Sequence, residues 1–263
     1  MILALDFDGV IGDSTDDAFV GAFNTYLHFF PQTALLSRIP VTEHNFELIK
    51  RRQGELIRRF CGLRCYGGRT AEELIVIFRI IDERKQIRGQ EDFDAYLRLI
   101  LPEELDKYST EYFQQRYMVM RKSPDFYNGL TRPYKIVPDV AELMRGHHVI
   151  VVTNKDGKTA DFWLNRFGLK FGKGAIFDKS YSQDKVRKLG FVSERLEVEM
   201  EDILFVDDQV SQLIDVQKTG ARCFLATWGY NTKSQQRIAT DNGITLLSEK
   251  GFYQTMSGLL KKS

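Results

Sequence analysis

Near the start of the chain an apolar run, Ile2-Leu3-Ala4-Leu5, ends in Asp6-Phe7-Asp8-Gly9. Alternation along an extended segment points residues i and i+2 to the same side, so Asp6 and Asp8 share a face. A second apolar run, Ile203-Leu204-Phe205-Val206, ends in Asp207-Asp208. Carboxylates packed together repel, and a cation offsets that cost; oxygen-only ligands suit Mg²⁺. A third run closes as Val151-Val152-Thr153-Asn154-Lys155. Its hydroxyl and the neighbouring N–H groups suit phosphate oxygens. A lysine ahead of residue 203, either Lys185 or Lys179, adds a positive charge. These residue types suit an anionic ligand beside a divalent cation.

The elements that position these groups are legible as well. Residues 2–5, 148–152, 175–177, 203–206 and 222–225 read as buried strands, with a weaker strand at 244–246. Helices are expected at 156–167, 183–189, 210–219 and 252–260. Strands alternating with helices imply a parallel sheet covered on both faces, with ligands at the C-terminal strand ends. The helix from Val210 would direct its N-terminus at an anion there. Residues 16–121 instead read as consecutive helices, with apolar positions recurring at three and four. Thr70 and Glu73 have the spacing of a capping box. The expected domains are an α/β core of residues 1–14 and 133–263 and a helical insertion of residues 15–132, hinged at 12–15 and 130–138.

Composition narrows the class. The 263 residues carry 37 basic and 36 acidic side chains, a net charge of +1. That balance gives no general reason to expect nucleic acid as partner. No apolar stretch approaches a membrane span, and the N-terminus lacks the features of a secretory signal. Three cysteines are too few for a disulfide framework. A cytoplasmic protein with no membrane partner is expected. Cys61 and Cys65 would share a face on a helix and are expected to serve packing.

The run Asp6-Phe7-Asp8-Gly9-Val10-Ile11-Gly12-Asp13-Ser14, with Thr153 closing a strand, a following lysine and a late acidic pair, resembles the four motifs of the haloacid dehalogenase superfamily of phosphohydrolases. Lys185 fits the third motif's spacing better than Lys179. The fourth motif stands in its double-Asp form, with Gln212 where many relatives have a further Asp. The resemblance covers residues 1–14 and about 133–230. It implies a Rossmann-like parallel sheet with a helical cap inserted after the first motif. It implies a Mg²⁺-dependent phosphatase acting on a small phosphorylated metabolite, as a monomer or homodimer. Asp6 would be the nucleophile and Asp8 the acid and base. Thr153, Asn154, Gly9 and Lys185 would hold the phosphate. The metal would lie on Asp6, Asp8 (through its backbone carbonyl), Asp208 and Asp207. In the cap, Arg69 in the loop Tyr66-Gly67-Gly68-Arg69-Thr70 is expected to meet the leaving group. An acid at position 8 speaks against dehalogenation. A phosphomutase using the same residues and a non-catalytic binding protein are the alternatives.

Overall fold

The computed structural model describes residues 1–35 and 38–261. The chain divides into two compact units, Met1–Asp13 with Arg132–Ser263, and Ser14–Thr131.

The first unit is built on parallel strands β1 (Ile2–Leu5), β4 (Val149–Val152), β5 (Ile176–Phe177), β6 (Ile203–Asp207), β7 (Arg222–Ala226) and β8 (Thr245–Leu247). Among the described residues they form one six-stranded sheet in the order β5-β4-β1-β6-β7-β8. The central strands ILAL, VIVV and ILFVD are buried along their whole length, as a sheet covered on both faces requires. Helices α8 (Val137–Leu143), α9 (Gly157–Arg166), α10 (Lys185–Leu196), α11 (Val210–Gln217), α12 (Lys233–Asp241) and α13 (Phe252–Leu260) complete the unit. Leu189, Val192, Leu213 and Val216 of α10 and α11 pack on Ile150, Ile203 and Phe205. Two short strands, β2 (Gly12–Asp13) and β3 (Arg132–Pro133), pair antiparallel where the helical segment departs and returns. Helix α10 runs past the expected end at 189, because Val192 and Leu196 extend its apolar stripe. It stops at Glu197, whose φ of 52° is left-handed.

The second unit contains helices α1 (Thr15–Phe29), α2 (Phe46–Arg52), α3 (Gly54–Arg64), α4 (Ala71–Asp82), α5 (Gln90–Leu97), α6 (Pro102–Lys122) and α7 (Pro124–Gly129). Its centre is aromatic: Phe19 and Phe23 of α1, Phe60 of α3 and Phe78 of α4 meet edge to face or stacked at 5.0–6.2 Å. The buried Arg116 of α6 pairs with the buried Asp17 of α1 at 3.0 Å. Two expectations are corrected here. Thr70 makes no side-chain cap bond; the Glu73 carboxylate reaches back instead to the N–H groups of Gly68 and Arg69, each at 2.9 Å. Cys65 lies just beyond α3 and is buried whereas Cys61 is exposed, so only Cys65 serves packing. Among the described residues, no helix is long and apolar enough to cross a membrane.

Candidate active site

The sheet register decides which polar groups meet. Leu5 of β1 lies beside Val151 of β4 and Val206 of β6. One residue on, Asp6 stands beside Asp207, and its N–H bonds the Val206 carbonyl at 2.9 Å. The chain extends the sheet from β1 through β4 to β5, then returns to the other side of β1 as β6. The carboxylates therefore stand at the topological switch point, where open α/β sheets leave a crevice.

Asp6, Asp207 and Asp208 are buried, and each offers a carboxylate oxygen within 4.8 Å of the other two. Lys185 joins them from the first turn of α10, which Asp184 caps by accepting the Val186 N–H at 2.8 Å. The Lys185 ammonium sits 3.1 Å from Asp6, 3.2 Å from Asp207 and 2.6 Å from the Val152 carbonyl. Burial pushes the Asp6 carboxyl up to about 6, against the pull of Lys185 and with help from Asp207 and Asp8. Burial also works against the Lys185 charge, but Asp207 and Asp6 outweigh it and raise its pKa. Three carboxylates against one ammonium leave a negative excess in a low-dielectric place. That donor set, all hard oxygen, fits Mg²⁺.

Asp8 stands apart from this cluster. Its carboxylate is 3.0 Å from the Lys155 ammonium, which lies over the Phe7 ring. Thr153 is fully buried, and its hydroxyl accepts the Lys155 N–H at 3.2 Å, leaving the hydroxyl proton to donate. Lys188, one turn along α10 from Lys185, donates to the Thr153 carbonyl and, at 2.7 Å, to the Asn154 side chain. Burial and the neighbouring Lys185 push the Lys188 ammonium down to about 7.

Solved structures share this architecture at low sequence identity. A protein from Haemophilus somnus described as a predicted phosphoglycolate phosphatase superposes with a TM-score of 0.60 at 15% identity, over 97% of each chain. A protein from Clostridium acetobutylicum described as a predicted phosphatase gives 0.58 at 15%, over 98% of each. A haloacid dehalogenase-like family hydrolase from Streptococcus pneumoniae gives 0.56 at 12%, over 94% of this chain and 92% of that one. The chain has a haloacid dehalogenase-like fold. A scan of protein-family models gives no match, nor does a search of curated proteins.

Within this haloacid dehalogenase-like core, the expected residues fall into two groups. Asp6, Asp207, Asp208 and Lys185 converge; Asp8, Thr153 and Asn154 are tied to Lys155 or Lys188. Of the two candidate lysines, Lys185 is the one on the carboxylates. The Gly9 N–H donates to the Gly12 carbonyl at 3.0 Å. The φ of +78° and missing side chain of Gly9 make room for Asp208. Gln212 lies in α11, and its side-chain oxygen is buried without a hydrogen-bond partner.

Arg69 lies in the helical unit, where its guanidinium binds Glu73 at 2.8 Å and Asp94 at 2.7 Å. The double glycine before it serves close packing: a β-carbon on Gly67 would fall 1.9 Å from the Phe93 ring.

Three features escaped the sequence reading. Lys155 and Lys188 look like surface lysines until the fold buries them. The segment 228–231 also went unread, although an aromatic-Gly-aromatic run after a strand was a usable signal. There the Tyr230 N–H binds Asp208 at 2.6 Å, the Trp228 indole donates to the Val10 carbonyl at 3.1 Å, and the Tyr230 hydroxyl meets Asp13 at 3.0 Å.

Proposed function

We propose that this chain is a cytoplasmic, Mg²⁺-dependent phosphohydrolase that removes phosphate from a small phosphorylated metabolite through an aspartyl-phosphate. The observation that carries this reading is the single Lys185 ammonium bridging Asp6 and Asp207 inside the three-carboxylate cluster.

Asp6, Asp208, Asp207 and the Asp8 backbone carbonyl are the groups proposed to hold Mg²⁺. A bound Mg²⁺ would offset the carboxylate charge and stabilise charge on the phosphoryl oxygens. Asp6 attacks phosphorus, and the bond to the leaving oxygen breaks while Asp8 gives that oxygen a proton. Asp8 then takes a proton from water, which attacks phosphorus and frees Asp6. Lys155 holds the Asp8 side chain in place between these transfers. Thr153 and Lys185 donate to the phosphoryl oxygens and keep that charge compensated. The helical unit serves as the cap that selects among phosphate esters.

The test is phosphate release from an aryl phosphate, with and without Mg²⁺, for the wild type and Asp6→Asn. Mg²⁺-dependent release that Asp6→Asn abolishes is the expected result. Phosphoglycolate, the ester named for the Haemophilus somnus protein, is the first metabolite to try. Absence of release from both, together with no binding of beryllofluoride and Mg²⁺, would overturn the reading.

A further inference from the structure

A second charged feature lies at the other end of the same sheet. A cleft of about 450 Å³ opens beside the N-terminal end of β4. Five basic side chains line it: His147 and His148 before β4, Lys170 and Lys173 before β5, and Arg195 in the last turn of α10. Among the described residues, no aspartate or glutamate lines it. Glu142, nearby in sequence, is paired with Arg145 at 2.8 Å. Among the described residues, the side chains of Lys170, Lys173, His147 and His148 make no ion pair or hydrogen bond. In a chain whose charges nearly cancel overall, this is a local concentration of positive charge.

Arg195 makes two contacts of its own beside a glycine that leaves it room. It donates to the Tyr181 hydroxyl at 2.9 Å and lies over the Phe177 ring at 5.8 Å. Gly174, at a φ of +86°, leaves it room: a β-carbon there would sit 2.5 Å from Nη2. A guanidinium fixed beforehand loses less freedom when it binds an anion. The volume falls in the range of small-molecule sites, roughly 300–1,000 Å³. Concavity at this scale suits a compact ligand better than an extended polymer.

We propose that this cleft binds a compact polyanion carrying two or more phosphate groups, either a free polyphosphate or the phosphate chain of a nucleotide. The site is separate from the carboxylate cluster. The four residues of β4 alone, at roughly 3.3 Å each, stand between the two ends of the sheet. Lys170, Lys173 and Arg195 supply the permanent charge, Arg195 gives a forked donor set, and the imidazoles add directional donors.

The experiment is calorimetric titration of the full chain with sodium tripolyphosphate in EDTA, at ~0.1 M salt. One site is expected. Its Kd should weaken at least ~10-fold in Lys170→Gln/Lys173→Gln and in Arg195→Gln, and stay unchanged in Asp6→Asn. Titration with ATP separates the sources: equal affinity means the phosphate chain alone is read, and tighter ATP means a nucleotide. No binding by either would overturn the proposal. So would an equal loss in the charge-matched Lys233→Gln/Lys250→Gln variant, loss of binding in Asp6→Asn, or displacement of tripolyphosphate by duplex DNA at equal phosphate concentration. Phosphate release plays no part in this readout, so its outcome is independent of the hydrolase reading.

Discussion

The Asp208 carboxylate occupies the space that a side chain on Gly9 would take: a β-carbon there would lie 2.2 Å from Oδ2. Gly229 closes the other side, where a β-carbon would fall 2.4 Å from the Asp208 β-carbon. Asp208 is thus fixed by two glycines and one backbone N–H. Gly9→Ala adds a clash to a left-handed backbone and should destabilise the protein by about 1–3 kcal/mol. It should also raise the Mg²⁺ concentration for half-maximal phosphate release at least ~10-fold. A Mg²⁺ titration and urea unfolding check both; an unchanged Mg²⁺ requirement would refute this role for the glycine.

Lys185 makes three contacts from one ammonium, so Lys185→Met leaves two carboxylates and a carbonyl buried without it. The expected loss is about 3–5 kcal/mol in urea unfolding. Phosphate release should fall at least ~10²-fold. Lys185→Arg should not restore it, because a planar fork cannot reproduce the contacts of a compact ammonium.

Lys188 links stability to pH. Its pKa falls from 10.5 when unfolded to about 7 when folded, so between those values the unfolded chain holds a proton that the folded chain has released. Stability from this group therefore rises with pH across that window. Burial and Lys185 drive the shift, while Asp6, Asp178 and Asp207 oppose it. Lys185 shifts upward and contributes no opposing loss below 10.5. Urea midpoints measured from pH 7 to 10 should rise less in Lys188→Met than in the wild type; parallel curves would contradict the assignment.

In the helical unit, Arg116 and Asp17 form an ion pair in which both side chains are nearly inaccessible. Arg116→Ala should cost about 3–5 kcal/mol, chiefly because it strands the Asp17 charge. The double variant with Asp17→Ala should cost clearly less than the sum of the two single changes. Additive losses in a urea cycle would show that the pair is not coupled.

Runs such as ILAL, VIVV and ILFV were legible as strands because a sheet buried on both faces demands unbroken apolar sequence. Their acidic or hydroxyl-bearing ends marked the crevice. Lys185 was legible by its spacing, but two other lysines resisted reading for a physical reason. Lys155 and Lys188 are ordinary in sequence, and only the pairing of β4 with β1 and the packing of α10 bring them onto polar strand ends. The tight contact of Gly67 with the Phe93 ring was not legible, because a Gly-Gly pair reads alike in an open loop and at a close packing point. The β2–β3 pairing was invisible because two-residue strands carry no periodicity. The basic cleft was also invisible, since its five residues come from three separated segments.

That short pairing has an architectural consequence. Gly12–Asp13 and Arg132–Pro133 lie side by side in one ladder, so to the sheet everything between them is the loop of a hairpin. Hairpin ends this close are joined elsewhere by as few as two residues. The entropy of closing such a loop grows only with the logarithm of its length. The ladder is therefore a graft point: a module spliced in there can be exchanged, enlarged or shed without disturbing the order of the strands beneath it.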